Sequence, residues 1–207
     1  AYEIYQCDWS SDVCSSDLAP LLRGETLISV GMTEPEAGSA VTELKTSASP
    51  DGEGFRINGT KIFTTHGPHA DVILAYVRFG PGVGGIGSVL IDTKAPGVRI
   101  GQKSRFMSGE EWAQIYFEDV YVAPGDVLLG EGGFKKQIAG FNVERMGNTA
   151  RSLALGRYAY EVARHWALQR KQFGRLLCEF QGLQWKFAEM KMKLDAGQLL
   201  LYRAASN

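Results

Sequence analysis

The sequence predicts an α+β protein, with an antiparallel β-sheet or β-barrel domain followed by the first helices of an antiparallel helical bundle. Three observations predict it. Between Leu27 and Leu129 the apolar residues fall in short runs, rich in β-branched and aromatic side chains and closed off by Gly, Pro, Asn or Asp. No long helical period separates those runs, which argues against a doubly wound parallel sheet. After Gly130-Glu131-Gly132-Gly133 the apolar spacing changes to three and four, the period of a helix with one packed face.

Taken in order, residues 1–24 stand apart. The stretch YQCDWSSDVCSSDL nearly repeats itself and has neither a helical nor a strand period. It is expected to be non-native read-through or a disordered leader, and it carries no functional weight. Residues 25–132 form the predicted sheet domain. Its strands are LISVGM, FRING, KIFTT, DVILAYVRF, SVLIDT and AQIYFEDVYV, with Asp51-Gly52 and Asn58-Gly59 suited to hairpin turns. Residues 133–207 are the predicted start of a helical domain. Leu155, Tyr158, Ala159, Val162 and Trp166 make one stripe, and Leu183, Phe187, Met190, Leu194 and Leu201 a second. Gly174 breaks the pattern between them, so a helical hairpin is expected. Two helices alone cannot bury both stripes, and further helices are expected beyond residue 207.

Composition narrows the function. The chain has 207 residues, with 22 Lys and Arg against 23 Asp and Glu. That balance gives no field suited to nucleic acid or a membrane surface. No apolar run approaches the roughly 20 residues that span a bilayer. Cys7, Cys14 and Cys178 form no disulfide framework and suit a reducing compartment. Gly82-Val83-Gly84-Gly85-Ile86-Gly87 has the letters of a dinucleotide fingerprint, but a strand follows it where that fingerprint needs a helix. His66 and His69 lack a third ligand at metal spacing, so no metal is expected. His165 sits among helical residues and reads as a surface or interface histidine.

One segment carries more. In GMTEPEAGSAVTELKT, Ala37, Gly38 and Ser39 form a small-residue turn after a strand. Such a turn offers backbone amides and hydroxyls to a flat polar ring or a phosphate, and it is equally an ordinary exit from a strand. Here a resemblance enters: residues 27–207 resemble the middle sheet domain and first C-terminal helices of acyl-CoA dehydrogenases. MTEPEAGS is similar to the family's flavin-contacting signature, with Glu36 where Gly is usual. INGTKIFTTHG is similar to the second flavin strand, with Phe63 where most members have Trp. The stretch from Glu144 to Leu194 is similar to the family's long helix pair almost without gaps.

The resemblance implies FAD as cofactor and an acyl-CoA as substrate. It implies that Met32, Thr33, Gly38, Ser39, Phe63, Thr64 and Thr65 line the flavin ring and ribityl chain, with Ser39 also near the thioester or pantetheine. Arg170, Gln172, Phe173 and Gln181 match positions that reach the FAD of a neighbouring subunit, implying a homotetramer or homodimer. A planar multi-donor Arg suits a pyrophosphate, and a Gln suits the adenine end. Asn142 and Arg145 match contacts to the CoA portion. The implied reaction removes the α-proton with a glutamate while the β-hydride goes to flavin N5. The family places that glutamate either far downstream, here beyond residue 207, or on the first C-terminal helix, as in isovaleryl- and long-chain-type members. Glu144, in FNVER, matches the second placement. Packed against an apolar acyl chain, such a carboxyl would have its pKa raised by desolvation. An acyl-CoA oxidase or flavin monooxygenase of the same fold, and an inactive flavin-binding fragment, are the alternatives. An electron-transferring flavoprotein as partner, and a bacterial cytoplasm or mitochondrial matrix as location, follow from the resemblance.

Overall fold

The structure, a computed structural model, describes residues 20 and 23–206. Most of the expected leader, with Cys7 and Cys14, lies outside the described residues. The chain divides into two compact units between Gln137 and Ile138.

The first unit is a sheet of eight strands: β1 (Ile28–Gly31), β2 (Ser47–Asp51), β3 (Gly54–Thr65), β4 (Val72–Arg78), β5 (Ile86–Asp92), β6 (Val98–Arg105), β7 (Glu111–Val122) and β8 (Val127–Leu129). Their order is β6-β7-β3-β2-β4-β5-β8, with β1 alongside β4. The sheet is open, running from β6 at one edge to β8 at the other. It is also mixed. β1 pairs with β4 in parallel, and β2 meets β4 in parallel at Ser47 and Arg78, while the other pairs are antiparallel. The core is the inward face of the long strands: Ile57, Ile73, Val77, Val89, Ile115 and Val120 are fully buried.

Two bulges shape β3 and β7. Ile57 faces Val120 and Gly59 faces Phe117, two steps on β3 against three on β7. The extra residue belongs to β7, where Asp119 takes a left-handed backbone at φ 52°. Phe117 and Val120 can therefore both point inward although three residues apart. Asn58 spans this bulge: its side-chain amide donates to Asp119 Oδ1 at 2.9 Å, and its Oδ1 accepts from the Asp119 amide at 2.9 Å. Asn58-Gly59 is thus the middle of one long strand and no turn, which corrects the hairpin expected there. A Cβ on Gly59 would come within 2.5 Å of Thr46 Oγ1, so β3 needs glycine where it passes Thr46. Asp51-Gly52 does form the turn between β2 and β3, with Gly52 at φ 60°.

The second unit holds most of α1 (Phe134–Ala167), and α2 (Gln181–Ser206). Between them β9 (Lys171–Gln172) and β10 (Arg175–Leu176) make a small ribbon. Its tip is Phe173-Gly174, both at positive φ (50° and 78°), as a tight hairpin turn requires. The helices meet along Leu153, Gly156 and Tyr160 of α1 and Phe187, Leu194 and Gly197 of α2. A Cβ on Gly156 would lie 3.0 Å from Leu194 Cδ2, and one on Gly197 would lie 2.8 Å from Leu153 Cδ2. Tyr160 packs edge-on to Phe187 at 5.9 Å, and Arg157 donates to Gln198 Oε1 at 2.8 Å. The α1 stripe of Leu155, Tyr158, Val162 and Trp166 lies outside this seam and is exposed, in keeping with two helices being unable to bury both stripes, whereas Leu183, Phe187, Leu194 and Leu201 of the α2 stripe are partly buried. Small residues decided the seam, because glycines let two backbones approach where bulky residues hold them apart. No helix among the described residues is long and apolar enough to cross a membrane.

Candidate functional site

The predicted turn lies on the loop that leaves β1 and returns as β2. It starts with a tight reversal, in which Glu34 and Ala37 exchange both backbone hydrogen bonds at 3.1 Å. The Glu34 carboxylate points inward. Its Oε2 accepts from the Lys45 amide at 2.6 Å, and its Oε1 from the Thr46 amide at 2.9 Å and the Thr46 hydroxyl at 2.6 Å. Lys61 of β3 donates to the same Oε1 at 2.8 Å and to the Met32 carbonyl at 3.3 Å. Gly31 leaves room for the lysine stem, since a Cβ there would lie 3.2 Å from Lys61 Cγ.

This ion pair is withdrawn from water, with Lys61 0% and Glu34 7% exposed. Burial pushes the Glu34 pKa up, but Lys61 and the donated hydrogen bonds more than reverse this and hold it below the usual carboxylate value. Burial draws the Lys61 pKa down to about 8, against the pull of Glu34. Farther round the loop, the Arg78 guanidinium donates to the carbonyls of Thr42 (2.7 Å), Leu44 (2.9 Å) and Gly82 (2.7 Å). Held in this way, the loop presents Gly38 and Ser39 to solvent, and a Cβ on Gly38 would meet nothing within 4 Å.

The second predicted segment is joined to the first. The Ile62 amide donates to the Thr33 carbonyl at 2.8 Å. Just there β3 carries its second bulge: Lys61 faces Ile115 and Thr64 faces Ala113, three steps on β3 against two on β7. The extra residue lets Lys61 and Thr64 both point inward and turns Phe63 out. Phe63 adopts φ 56°, unusual for a bulky side chain, and stays 50% exposed. Its ring leans on Trp112 with centroids 4.7 Å apart. Thr65 and Met32 are half-buried, as is Thr33. Thr64 is not on this surface. It is 1% exposed, packs beside Gly67, and its hydroxyl has no hydrogen-bond partner among the described residues.

Past Thr65, an open groove of about 450 Å³ is lined by His66, His69, Arg105, Ser108, Gly109, Glu110 and Glu111. Within it Glu111 accepts from Arg105 at 2.8 Å and lies 2.7 Å from His69 Nε2. Arg105 first, and then His69, hold the Glu111 carboxyl below its ordinary pKa.

The remaining candidates lie in the helical unit. Asn142, Glu144 and Arg145 form an exposed polar turn of α1, where Arg145 donates to Asn142 Oδ1 at 3.0 Å and Asn148 to Glu144 Oε1 at 3.1 Å. Arg170, Gln172, Phe173 and Gln181 gather on the β9–β10 ribbon and the first residue of α2, all exposed. Arg170 lies 5.9 Å from the Trp166 ring centre, and Phe173, at the ribbon tip, is 94% exposed. In the sheet unit the residues suit a flavin. An outward aromatic face, a nearby threonine hydroxyl and an open glycine–serine turn match a flat ring with a polar edge and tail.

The sequence of residues 29–120 matches the acyl-CoA dehydrogenase middle domain, and that of 131–207 the acyl-CoA dehydrogenase C-terminal domain. The chain is 36% identical over 194 residues to the 3-(aryl)acrylate reductase of Clostridium sporogenes, an overlap of 91% of this chain and 51% of that protein. It is 34% identical over 195 residues to the short-chain specific acyl-CoA dehydrogenase of Megasphaera elsdenii, covering 91% of this chain and 51% of that one. The three-dimensional structure of butyryl-CoA dehydrogenase from Megasphaera elsdenii superposes with a TM-score of 0.86 at 33% identity, over 92% of this chain and 51% of that one. The chain therefore spans about half the length of the curated relatives it matches. With two successive domains of one family matched in order and the fold shared with its solved members, the chain belongs to the acyl-CoA dehydrogenase family.

Proposed function

We propose that this chain is the flavin-binding middle of an FAD-dependent acyl-CoA dehydrogenase. The reading is carried by the 2.8 Å hydrogen bond from Ile62 to Thr33, which ties the two flavin-type segments together beside the outward Phe63. When bound, FAD supplies the two-electron acceptor for a hydride leaving the substrate β-carbon. Phe63 offers its face to the ring. Thr33, Ser39 and Thr65 offer hydroxyls and amides to the ring edge and ribityl chain, beside Met32, while Gly38 leaves room for them. Arg170, Gln172, Phe173 and Gln181 serve the FAD of a neighbouring subunit, which makes the working enzyme a homo-oligomer, and an electron-transferring flavoprotein takes the electrons onward.

On the helical unit, Asn142 and Arg145 hold the CoA portion and Glu144 takes the α-proton. A carboxylate suits that task because its conjugate acid is stable once the proton has moved, whereas Asn142 and Arg145 cannot accept a proton at neutral pH. The test is Glu144→Gln in the complete protein. FAD and acyl-CoA should still bind, because the amide keeps shape and polarity. Flavin bleaching after anaerobic mixing with acyl-CoA should slow by about 10²–10⁴-fold, the usual contribution of a positioned base. A variant that bleaches at nearly the wild-type rate would move the base to a glutamate outside residues 1–207.

A further inference from the structure

The loop from Met32 to Thr46 has its two ends stitched together by one carboxylate. Glu34, near the start, accepts the amides of Lys45 and Thr46 near the finish, and the Thr46 hydroxyl as well. From the sheet, Lys61 fixes that carboxylate and the Met32 carbonyl at once. The arc between carries Gly38 and Ser39, and Arg78 ties its far side through Thr42 and Leu44. Lys61 also stands at the start of the bulge that turns Phe63 outward, since the register slips between Lys61 and Thr64.

Stability does not account for an ion pair in this place. Bringing two charges out of water costs about as much as their pairing returns, and apolar groups of the same volume commonly serve as well. What a fully bonded pair adds is a single geometry. Donors set around one carboxylate fix the distance and angle between the loop ends, which apolar packing leaves free to slip.

We propose that Glu34 and Lys61 are positioning residues, whose ion pair closes the base of the loop and presets both the Gly38–Ser39 turn and Phe63 for the flavin nucleotide. The pair acts through the loop and the bulge. This inference rests on the reading that these segments bind FAD, and its ligand-free readout stands apart from that reading.

The experiment compares wild type with Glu34→Gln, Lys61→Met and the double variant in the complete protein. Three quantities are read: melting temperature, amide hydrogen exchange over residues 33–46 without ligand, and FAD affinity of the apoprotein by flavin fluorescence. Each single variant leaves one buried charge alone and should melt lower. The double variant leaves none and should recover most of the melting temperature. It should still exchange faster over 36–45 and bind FAD about 10- to 100-fold more weakly, the scale of a lost charge-assisted hydrogen bond. A double variant with wild-type exchange and wild-type FAD affinity overturns the proposal.

Thr46→Val guards against a double variant that does not fold. It keeps both charges and the volume, removing a single donor to Glu34. It should speed loop exchange and weaken FAD about 3- to 10-fold, less than the double variant because Glu34 keeps its other donors, with a smaller fall in melting than either single charge variant. Unchanged exchange and affinity in Thr46→Val also overturn the proposal. A wild-type protein that binds no FAD would remove the functional reading, while the exchange data would still test the pair.

Discussion

Lys61 carries an ammonium group into the middle of a sheet, and the pH dependence of folding should report it. Its folded pKa of about 8 lies below the 10.5 of an open chain. Between those values the unfolded chain holds a proton that the folded chain has lost, so this group makes stability rise with pH across that window. Tyr76 works in the opposite sense. Burial pushes its phenol up, giving stability that is lost as pH climbs past the ordinary value of 10.0. Glu34 acts in acid: its folded pKa lies below 4.5, so its contribution is complete above that value and fades as pH falls through the folded one. Urea unfolding of wild type and Lys61→Met from pH 8 to 10 isolates the lysine. The wild type should gain stability relative to the variant across that range, and parallel curves would mean that the ammonium keeps its water. None of this was legible beforehand. Lysine is rarely buried without a partner, and the partner, Glu34, lies 27 residues away on a loop. Thr33, Phe63 and Gly38 could be named because the resemblance covers short, ordered motifs. Trp112, which backs Phe63, belongs to no such motif.

Among the elements, β1, β4, β5 and β7 were readable because each is one run rich in β-branched and aromatic side chains, whereas β3 was split at Asn58-Gly59, whose letters are those of a turn. β2 was not readable, since Ser47-Ala48-Ser49-Pro50-Asp51 is poor in strand-forming side chains. Its partner sets its conformation, as β3 pairs with all five of its residues. β6 was hidden by Arg99, Lys103 and Arg105, charges typical of an edge strand guarded against further pairing. In the helical unit the apolar period and the α2 face were legible, but the α1 side of the seam at Leu153, Gly156 and Tyr160 was not, because glycine carries no weight in an apolar count although it sets how closely two helices approach. Paired substitutions in α1 expose this. Gly140→Ala, where a Cβ meets nothing within 4 Å, should stabilise by about 1 kcal/mol through helix propensity. Gly156→Leu, at the Leu194 contact, should destabilise by roughly 1–3 kcal/mol through overpacking. Thermal unfolding reads both, and two shifts of the same sign would remove Gly156 from the seam.

For the whole molecule, the order of the two units was legible because the apolar period changes once and sharply, near residue 130. The residues proposed to contact flavin occur in both units: Phe63 and the Gly38–Ser39 turn stand on the sheet, while Arg170 and Gln181, proposed to serve a neighbouring subunit's flavin, stand on the helical part. The Asn58 bulge bears on how the protein ages. Asn-Gly is the dipeptide most prone to deamidation, in which the glycine amide nitrogen attacks the asparagine carbonyl, expels ammonia and forms a succinimide that water later opens. In the fold both ends of the Asn58 side-chain amide are engaged by Asp119, and the segment is held extended within β3. The attack geometry is closed off while the sheet is intact and opens when β3 and β7 separate. Conversion of Asn58 to aspartate or isoaspartate, followed by peptide mass spectrometry during storage, should therefore keep time with global unfolding. Denaturant should accelerate it steeply. A rate equal to that of an unstructured peptide would show that these two strands part far more often than the rest of the sheet allows.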